Sequence, residues 1–294
     1  MDMDNNEQLI EEEVNQVFTD DIPILVEESH VELTSEEEAL LAAALESQNS
    51  EIPVNSPTLL VEDVTSRFSG ASWYDKIRTK TILLAGLGGI GSYVAFLLSR
   101  MRPFRVVMYD DDVVESANMS GQLYCMENIG EYKVNAIYNT MRRFSNFYNV
   151  SALKERITDE TPARDIMICG FDNMEARKAF YRLWKAHVRY SSNKDKCLFI
   201  DGRLAAEEFQ VFAIKGDDKR AMEIYEEEWL FDDSEAEETL CSYKQTTFMA
   251  NMIGSVMVNL FVNFVANECD PVFPRDVPFL TTYDASTMYF KVEM

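Results

Sequence analysis

Between Thr81 and Tyr109 the chain carries the feature that most restricts its fold. Thr81-Ile-Leu-Leu-Ala85 is a short apolar run of buried-strand type, and Gly86-Leu-Gly88-Gly89-Ile-Gly91 follows it directly. Ser92–Met101 then has helical spacing, with Val94, Ala95, Leu97, Leu98 and Met101 on one side, and Pro103 ends it. Arg105-Val-Val-Met-Tyr109 is a second strand, closed by Asp110-Asp111-Asp112. Strand, glycine turn, helix and strand in about 30 residues make one βαβ unit.

The alternation continues. Lys133–Phe144 reads as a helix, Ile166–Gly170 as a strand, and Met174–His187 as a helix. Cys197–Ile200 is a strand ending at Asp201, and Phe209–Ala213 alternates as a half-exposed strand does. Residues 215–240 are polar and acidic and suit a surface loop with one short helix. Thr247–Asn267 reads as a long apolar helix. Its most apolar stretch, Met252–Ala266, is too short for a membrane span and carries Asn259 and Asn263. Phe279–Tyr283 and Met288–Val292 flank a turn at Asp284-Ala-Ser286 and predict a terminal hairpin. The predicted fold is α/β, Rossmann-like and doubly wound, with a mostly parallel sheet and a C-terminal antiparallel hairpin.

Charge divides the chain. The net charge is −24, but residues 1–65 hold 18 acidic side chains and no Lys or Arg. The remainder has 27 basic and 33 acidic groups, so it is an ordinary, mildly acidic globule. We expect a largely disordered acidic tail over 1–64 and one folded domain over 65–294, joined through Pro53 and Pro57. Nucleic-acid binding through a broad basic face is disfavoured, as is docking on an anionic membrane. The five cysteines, Cys125, Cys169, Cys197, Cys241 and Cys269, form no CxxC pair. With no signal peptide, they predict free thiols in a reducing cytoplasm and no structural zinc.

The glycine turn predicts a nucleotide. Gly86 permits the tight turn, Gly88 and Gly89 let phosphate approach the backbone, and Gly91 lets helix and strand pack. Ser92 and the free amides of the helix start can bind phosphate oxygens. Asp110 ends the next strand, where a carboxylate can accept from ribose hydroxyls. These features alone leave NAD and ATP open. Asp112-Val-Val-Glu115, Asn118, Gln122 and Lys133 favour nucleotidyl transfer, which needs a cation and amide donors on a triphosphate. Asp172, just past the strand ending at Gly170, is a hard oxygen ligand suited to Mg²⁺.

With these residues in order, the chain resembles the ThiF/MoeB family, relatives of ubiquitin-activating enzymes, from about Arg67 to Met294. The matching stretches are Gly86–Gly91, Asp110–Glu115 through Asn118 and Gln122, Gly130–Lys133, Asp172-Asn173 through Arg177, and Tyr283–Thr287. The resemblance implies an adenylyltransferase that binds Mg·ATP. It would activate the C-terminal carboxylate of a small ubiquitin-like or sulfur-carrier-type protein, or of a peptide, as an acyl-adenylate. It places Asp110 on the ribose, Asn118 and Lys133 on the phosphates, and Asp172 on magnesium. It further implies a homodimer in which an arginine of one subunit, here Arg67, reaches the other's ATP. Cys241 stands where family members can accept the acyl group as a thioester.

Two departures stand out. The resemblance implies an arginine where this chain has Gly121, and it implies zinc-binding CxxC pairs that are missing. Arg67, Arg177 or Arg203 is expected to supply the lost guanidinium. Otherwise the chain is a nucleotide-binding scaffold with weakened catalysis. An NAD-dependent oxidoreductase is a third reading, resting only on the glycine turn and Asp110. His187, near a helix end, is expected to be a satisfied surface histidine.

Overall fold

The computed structural model describes residues 64–232 and 245–294. The acidic segment expected as a tail, apart from Val64, and Cys241 lie outside the described residues.

The described strands are β1 (Thr81–Ala85), β2 (Arg105–Tyr109), β3 (Val150–Leu153), β4 (Ile166–Cys169), β5 (Leu198–Ala205), β6 (Glu208–Lys215), β7 (Leu280–Asp284) and β8 (Tyr289–Glu293). The helices are α1 (Tyr74–Ile77), α2 (Gly89–Met101), α3 (Lys133–Ser145), α4 (Met174–Tyr190), α5 (Lys219–Ile224) and α6 (Thr247–Asn267). All eight strands form one sheet in the order β3-β2-β1-β4-β5-β6-β7-β8. Strands β3 to β5 across that order run parallel, and β5 to β8 pair antiparallel. The terminal hairpin is where the sequence predicts it, and the antiparallel part also takes in β6. Edge strand β3 has no counterpart among the predicted elements. Its four residues are only half-buried, so they carry no clear apolar pattern.

The two faces of the sheet follow from the period of two in each strand. Ile82 and Leu84 of β1, with Ile166 and Ile168 of β4, join the core beneath α2, α3 and α6. Leu83 and Ala85, with Met167 and Cys169, join the core beneath α4 and α5. Helix α6 has the bounds that the sequence predicts, and its 21 residues exceed the apolar stretch read as too short for a membrane span. By length and hydropathy it could cross a bilayer. Met249, Ile253, Met257 and Phe261, all fully buried, make it a core helix here. It lies close on α2: a Cβ at Gly254 would sit 3.1 Å from Tyr93 Cβ.

β1 is central. The chain leaves it toward β2 and β3 on one side and returns to β4 and β5 on the other. The carboxyl ends of β1 and β4 therefore flank the crevice at the topological switch point, where ligands of open α/β sheets bind.

Candidate active site

The glycine turn sits at that crevice. Gly86 has φ +80°, and a Cβ there would lie 2.8 Å from the carbonyl carbon of Gly170, just past β4. A Cβ on Gly91 would lie 1.8 Å from Gly86 O. Both positions thus exclude any side chain, one on the sheet side and one on the helix side. Gly88 is the N-cap of α2, and no side chain caps the helix. A Cβ at Gly88 would meet nothing nearer than Gln122 Nε2 at 4.0 Å. At Gly88 the turn is therefore open over an uncapped helix start, where orphan amides and the helix dipole favour an anion.

Ser92 is not in that cradle. It is fully buried, donates to Gly89 O at 3.1 Å and accepts from Leu123 N at 3.0 Å. Its hydroxyl ties the segment after Gln122 to α2, which overturns its expected role as a phosphate ligand.

Asp110 fastens the turn from the end of β2. Leu87 N–H donates to its Oδ2 at 2.6 Å and Asp112 N–H to its Oδ1 at 2.9 Å. Burial pushes its carboxyl above the ordinary range, while the Leu87 amide and the Lys133 charge pull it back. Tyr124 adds a second tie, its hydroxyl donating to Leu87 O at 2.6 Å. Lys133, the first residue of α3, is only 7% exposed. Its ammonium donates to Asp112 Oδ2 at 2.7 Å, and its amide donates to Asp112 O at 3.0 Å. Asp110, Asp112 and Lys133 thus form one charged group beside the turn.

The 3₁₀ turn Ser116–Ser120 carries the next two residues. Asn118 Oδ1 accepts from Glu115 N–H at 2.8 Å, which fixes the plane of its amide. Gln122 Oε1 is buried with no hydrogen-bond partner among the described residues, as is Thr246 Oγ1. Both atoms are thus left able to accept from a group the protein does not itself supply.

Gln245 is a residue the sequence reading did not single out. Its side chain covers the turn: a Cβ on Gly89 would lie 2.0 Å from Gln245 Oε1, and a Cβ on Gly121 would lie 2.8 Å from Gln245 Nε2. Its backbone bridges to Ala206, and Thr247 Oγ1 donates to Ser120 O, so both flanks are held.

The remaining candidates are placed differently. Asp172 follows Gly170 and Phe171 at the crevice, is exposed, and accepts from Asn173 Nδ2 at 3.3 Å. An exposed carboxylate beside a phosphate cradle suits a hard cation that retains water and phosphate ligands. Arg177 and Arg203 do not supply the guanidinium missing at Gly121. Arg177 is buried and donates to Asp201 Oδ1, Phe171 O and Gly202 O, while Arg203 Nε donates to Asp201 Oδ2 at 2.8 Å. Tyr225 OH also donates to Asp201, at 2.9 Å. Arg67 is exposed on the segment before α1, and no contact among the described residues joins it to the crevice. Asp284, in the terminal matching stretch, accepts from Ser286 and Thr287 and shapes the β7–β8 turn.

A glycine turn, an uncapped helix start and a buried lysine thus meet at the switch point of a Rossmann-like α/β domain. The chain belongs to the ThiF family, whose profile matches residues 61–293. Ubiquitin-like modifier-activating enzyme 5 of Gallus gallus is 29% identical over 169 residues, 52% of this chain and 42% of that protein. The chain thus matches less than half the length of this relative. Among solved structures, PaaA superposes with a TM-score of 0.60 at 14% identity, covering 99% of this chain and 87% of that one. Escherichia coli MccB with ATP has a TM-score of 0.58 at 13% identity, covering 89% and 79%. MccB with AMPCPP and MccA has a TM-score of 0.56 at 13% identity, with the same coverage. These likenesses establish the fold.

Proposed function

We propose that this chain is an ATP-dependent adenylyltransferase. It would activate the C-terminal carboxylate of a small ubiquitin-like or sulfur-carrier-type protein, or of a peptide, and release pyrophosphate. The observation that carries this reading is Lys133: a nearly buried ammonium, anchored at a helix start beside the glycine turn. A dinucleotide oxidoreductase has no use for a buried cation there, whereas a triphosphate does. The names of the matched relatives, a ubiquitin-like modifier activator and a protein solved with ATP and with MccA, support a protein or peptide substrate.

When bound, Mg·ATP supplies the electrophilic phosphorus and the pyrophosphate leaving group. The chain's own residues hold and orient it. The amides at the start of α2 and the Lys133 ammonium, which donates to Asp112, would hold the phosphates. Gln122, Asn118 and Gln245 would offer amide groups, Asp110 its remaining lone pairs to the ribose, and Asp172 a carboxylate to magnesium. Positioning and charge neutralisation are the main catalytic work in such a reaction. In this proposal Arg67 acts across a homodimer. Cys241 would supply a thiol able to take the activated acyl group as a thioester, with AMP as the leaving group. The chain works in the cytoplasm.

The test is exchange of labelled pyrophosphate into ATP, with and without candidate carboxylate partners. Partner-dependent exchange is expected. ATP binding without exchange for any ubiquitin-like or peptide C-terminus would favour the second reading, a scaffold with weakened catalysis. The occupied slot at Gly121 is the observation behind that reading.

A further inference from the structure

At the amino ends of the parallel strands, across the sheet from the glycine turn, three ligating side chains converge. Asp165 precedes β4, His187 lies in the last turn of α4, and Cys197 precedes β5. His187 Nε2 is 2.7 Å from Asp165 Oδ1, Cys197 Sγ is 3.7 Å from the same oxygen, and all three ligand atoms lie within 4.8 Å of one another. We propose that Asp165, His187 and Cys197 bind a divalent transition-metal ion of the zinc class.

Three arguments carry the proposal. First, the backbone at two of the ligands is pinned, that of Asp165 by the two elements bearing the others and that of Cys197 by the segments on either side of it. Asp165 O accepts from Leu198 N at 2.8 Å and from Trp184 Nε1 at 3.2 Å. Cys197 O accepts from Gly216 N at 2.8 Å, and Cys197 N donates to Lys194 O at 3.0 Å. The triangle is thus built by the fold, not by chance meeting of long side chains. Second, one nitrogen, one sulfur and one oxygen make a borderline-soft set that suits zinc, whereas calcium and magnesium want oxygen alone. Two ligands each about 2.0 Å from a tetrahedral centre stand roughly 3.3 Å apart, so the Asp165–His187 pair need open only slightly. Third, a cavity of about 370 Å³ lined by Ala163, His187, Tyr190 and Ser191 adjoins the triangle and has room for a water as fourth ligand. Charge balances as well: one carboxylate and one thiolate offset a divalent ion, and the thiol proton leaves for solvent.

The expectation of no structural zinc rests on missing CxxC pairs. This constellation is assembled from residues 22 and 32 positions apart, a spacing no local motif reports. It does not depend on the adenylyltransferase reading.

The experiment titrates the full, reduced chain with Co²⁺ alone and follows absorption. A sulfur-to-cobalt charge-transfer band saturating at one equivalent, with intense visible bands of a tetrahedral ion, is expected. The band should vanish in Cys197→Ser and persist when Cys125, Cys241 and Cys269 are replaced together by Ser. His187→Gln, at a half-exposed position, should weaken Co²⁺ by at least about tenfold even if Cys197→Ser folds poorly. No saturable band, a band that survives Cys197→Ser, or unchanged affinity in His187→Gln would overturn the proposal and leave a hydrogen-bonded triad.

Discussion

Gln245 Nε2 lies where a side chain at Gly121 would begin, 2.8 Å from the Cβ position of that glycine. The two residues are 124 positions apart, yet each decides what the other can be. A side chain at 121 must push the Gln245 amide off the glycine turn. We therefore expect Gly121→Ala to weaken ATP binding only while Gln245 is present. A double-mutant cycle with Gln245→Ala, read by calorimetry, should show a coupling of about 1 kcal/mol. Gly121→Arg alone should lower pyrophosphate exchange, and Gln245→Ala should relieve that loss. Additive effects would mean that the two side chains do not compete for one space.

Lys133 gives the sharpest catalytic prediction. Its side chain is held by Asp112, which is itself exposed, and the more buried Asp110 keeps the Leu87 and Asp112 amides as donors, so removing the ammonium leaves neither carboxylate without a partner. Lys133→Ala should reduce exchange by about 10²–10³-fold, in line with loss of one preorganised charge donor. Thermal stability should change little. A large fall in melting temperature with normal exchange would make Lys133 a structural residue.

Asp110 should behave in the opposite manner. Leu87 is fully buried, and its N–H has Asp110 as its acceptor. Asp110→Ala should therefore cost about 1–3 kcal/mol of stability, the penalty for an orphaned buried donor, in urea unfolding. ATP affinity should fall with it, because the turn loses its tie to β2. Asp110→Asn keeps one acceptor and should recover part of the stability. Equal stability of the Ala variant and the parent chain would remove the clamp from the account.

How far the sequence could be read depends on the distance over which each feature is encoded. The unit from Thr81 to Asp110 was legible because strand, turn, helix and carboxylate follow one another within a single βαβ. Lys133 and Asp112 were each legible as candidates from the spacing of polar residues after β2, but nothing in that spacing shows that they bond to each other. Ser92 was misread, since its position at a helix start says nothing about Leu123 claiming its hydroxyl from outside. Gln245 was passed over because its neighbours, Gly89 and Gly121, carry no side chain to hint at a partner. β3 was missed because an edge strand of four half-buried residues has too little alternation. Asp201 was read only as the end of a strand. Nothing local reveals that Arg177 and Arg203 both turn toward it.

That last cluster yields a pH-dependent prediction. Asp201 is fully buried between Arg177 and Arg203 and also accepts from Tyr225. Burial alone would raise its carboxyl, but the two guanidinium groups and the hydroxyl hold it below the ordinary value. A depressed folded-state pKa gives stability that is present above the unfolded value and is lost as pH falls through the folded one. Asp201→Asn leaves two guanidinium groups facing a neutral amide and should cost about 3–5 kcal/mol at pH 7. The difference between parent and variant should stay constant down to about pH 4 and shrink below it. Arg177 also donates to Phe171 O, next to Asp172, so the variant should loosen the segment that presents this carboxylate. Urea unfolding of both chains at a series of pH values measures the effect. A difference that is small at neutral pH, or that does not narrow in acid, would show that the ion pairs do not hold the middle of β5 in place.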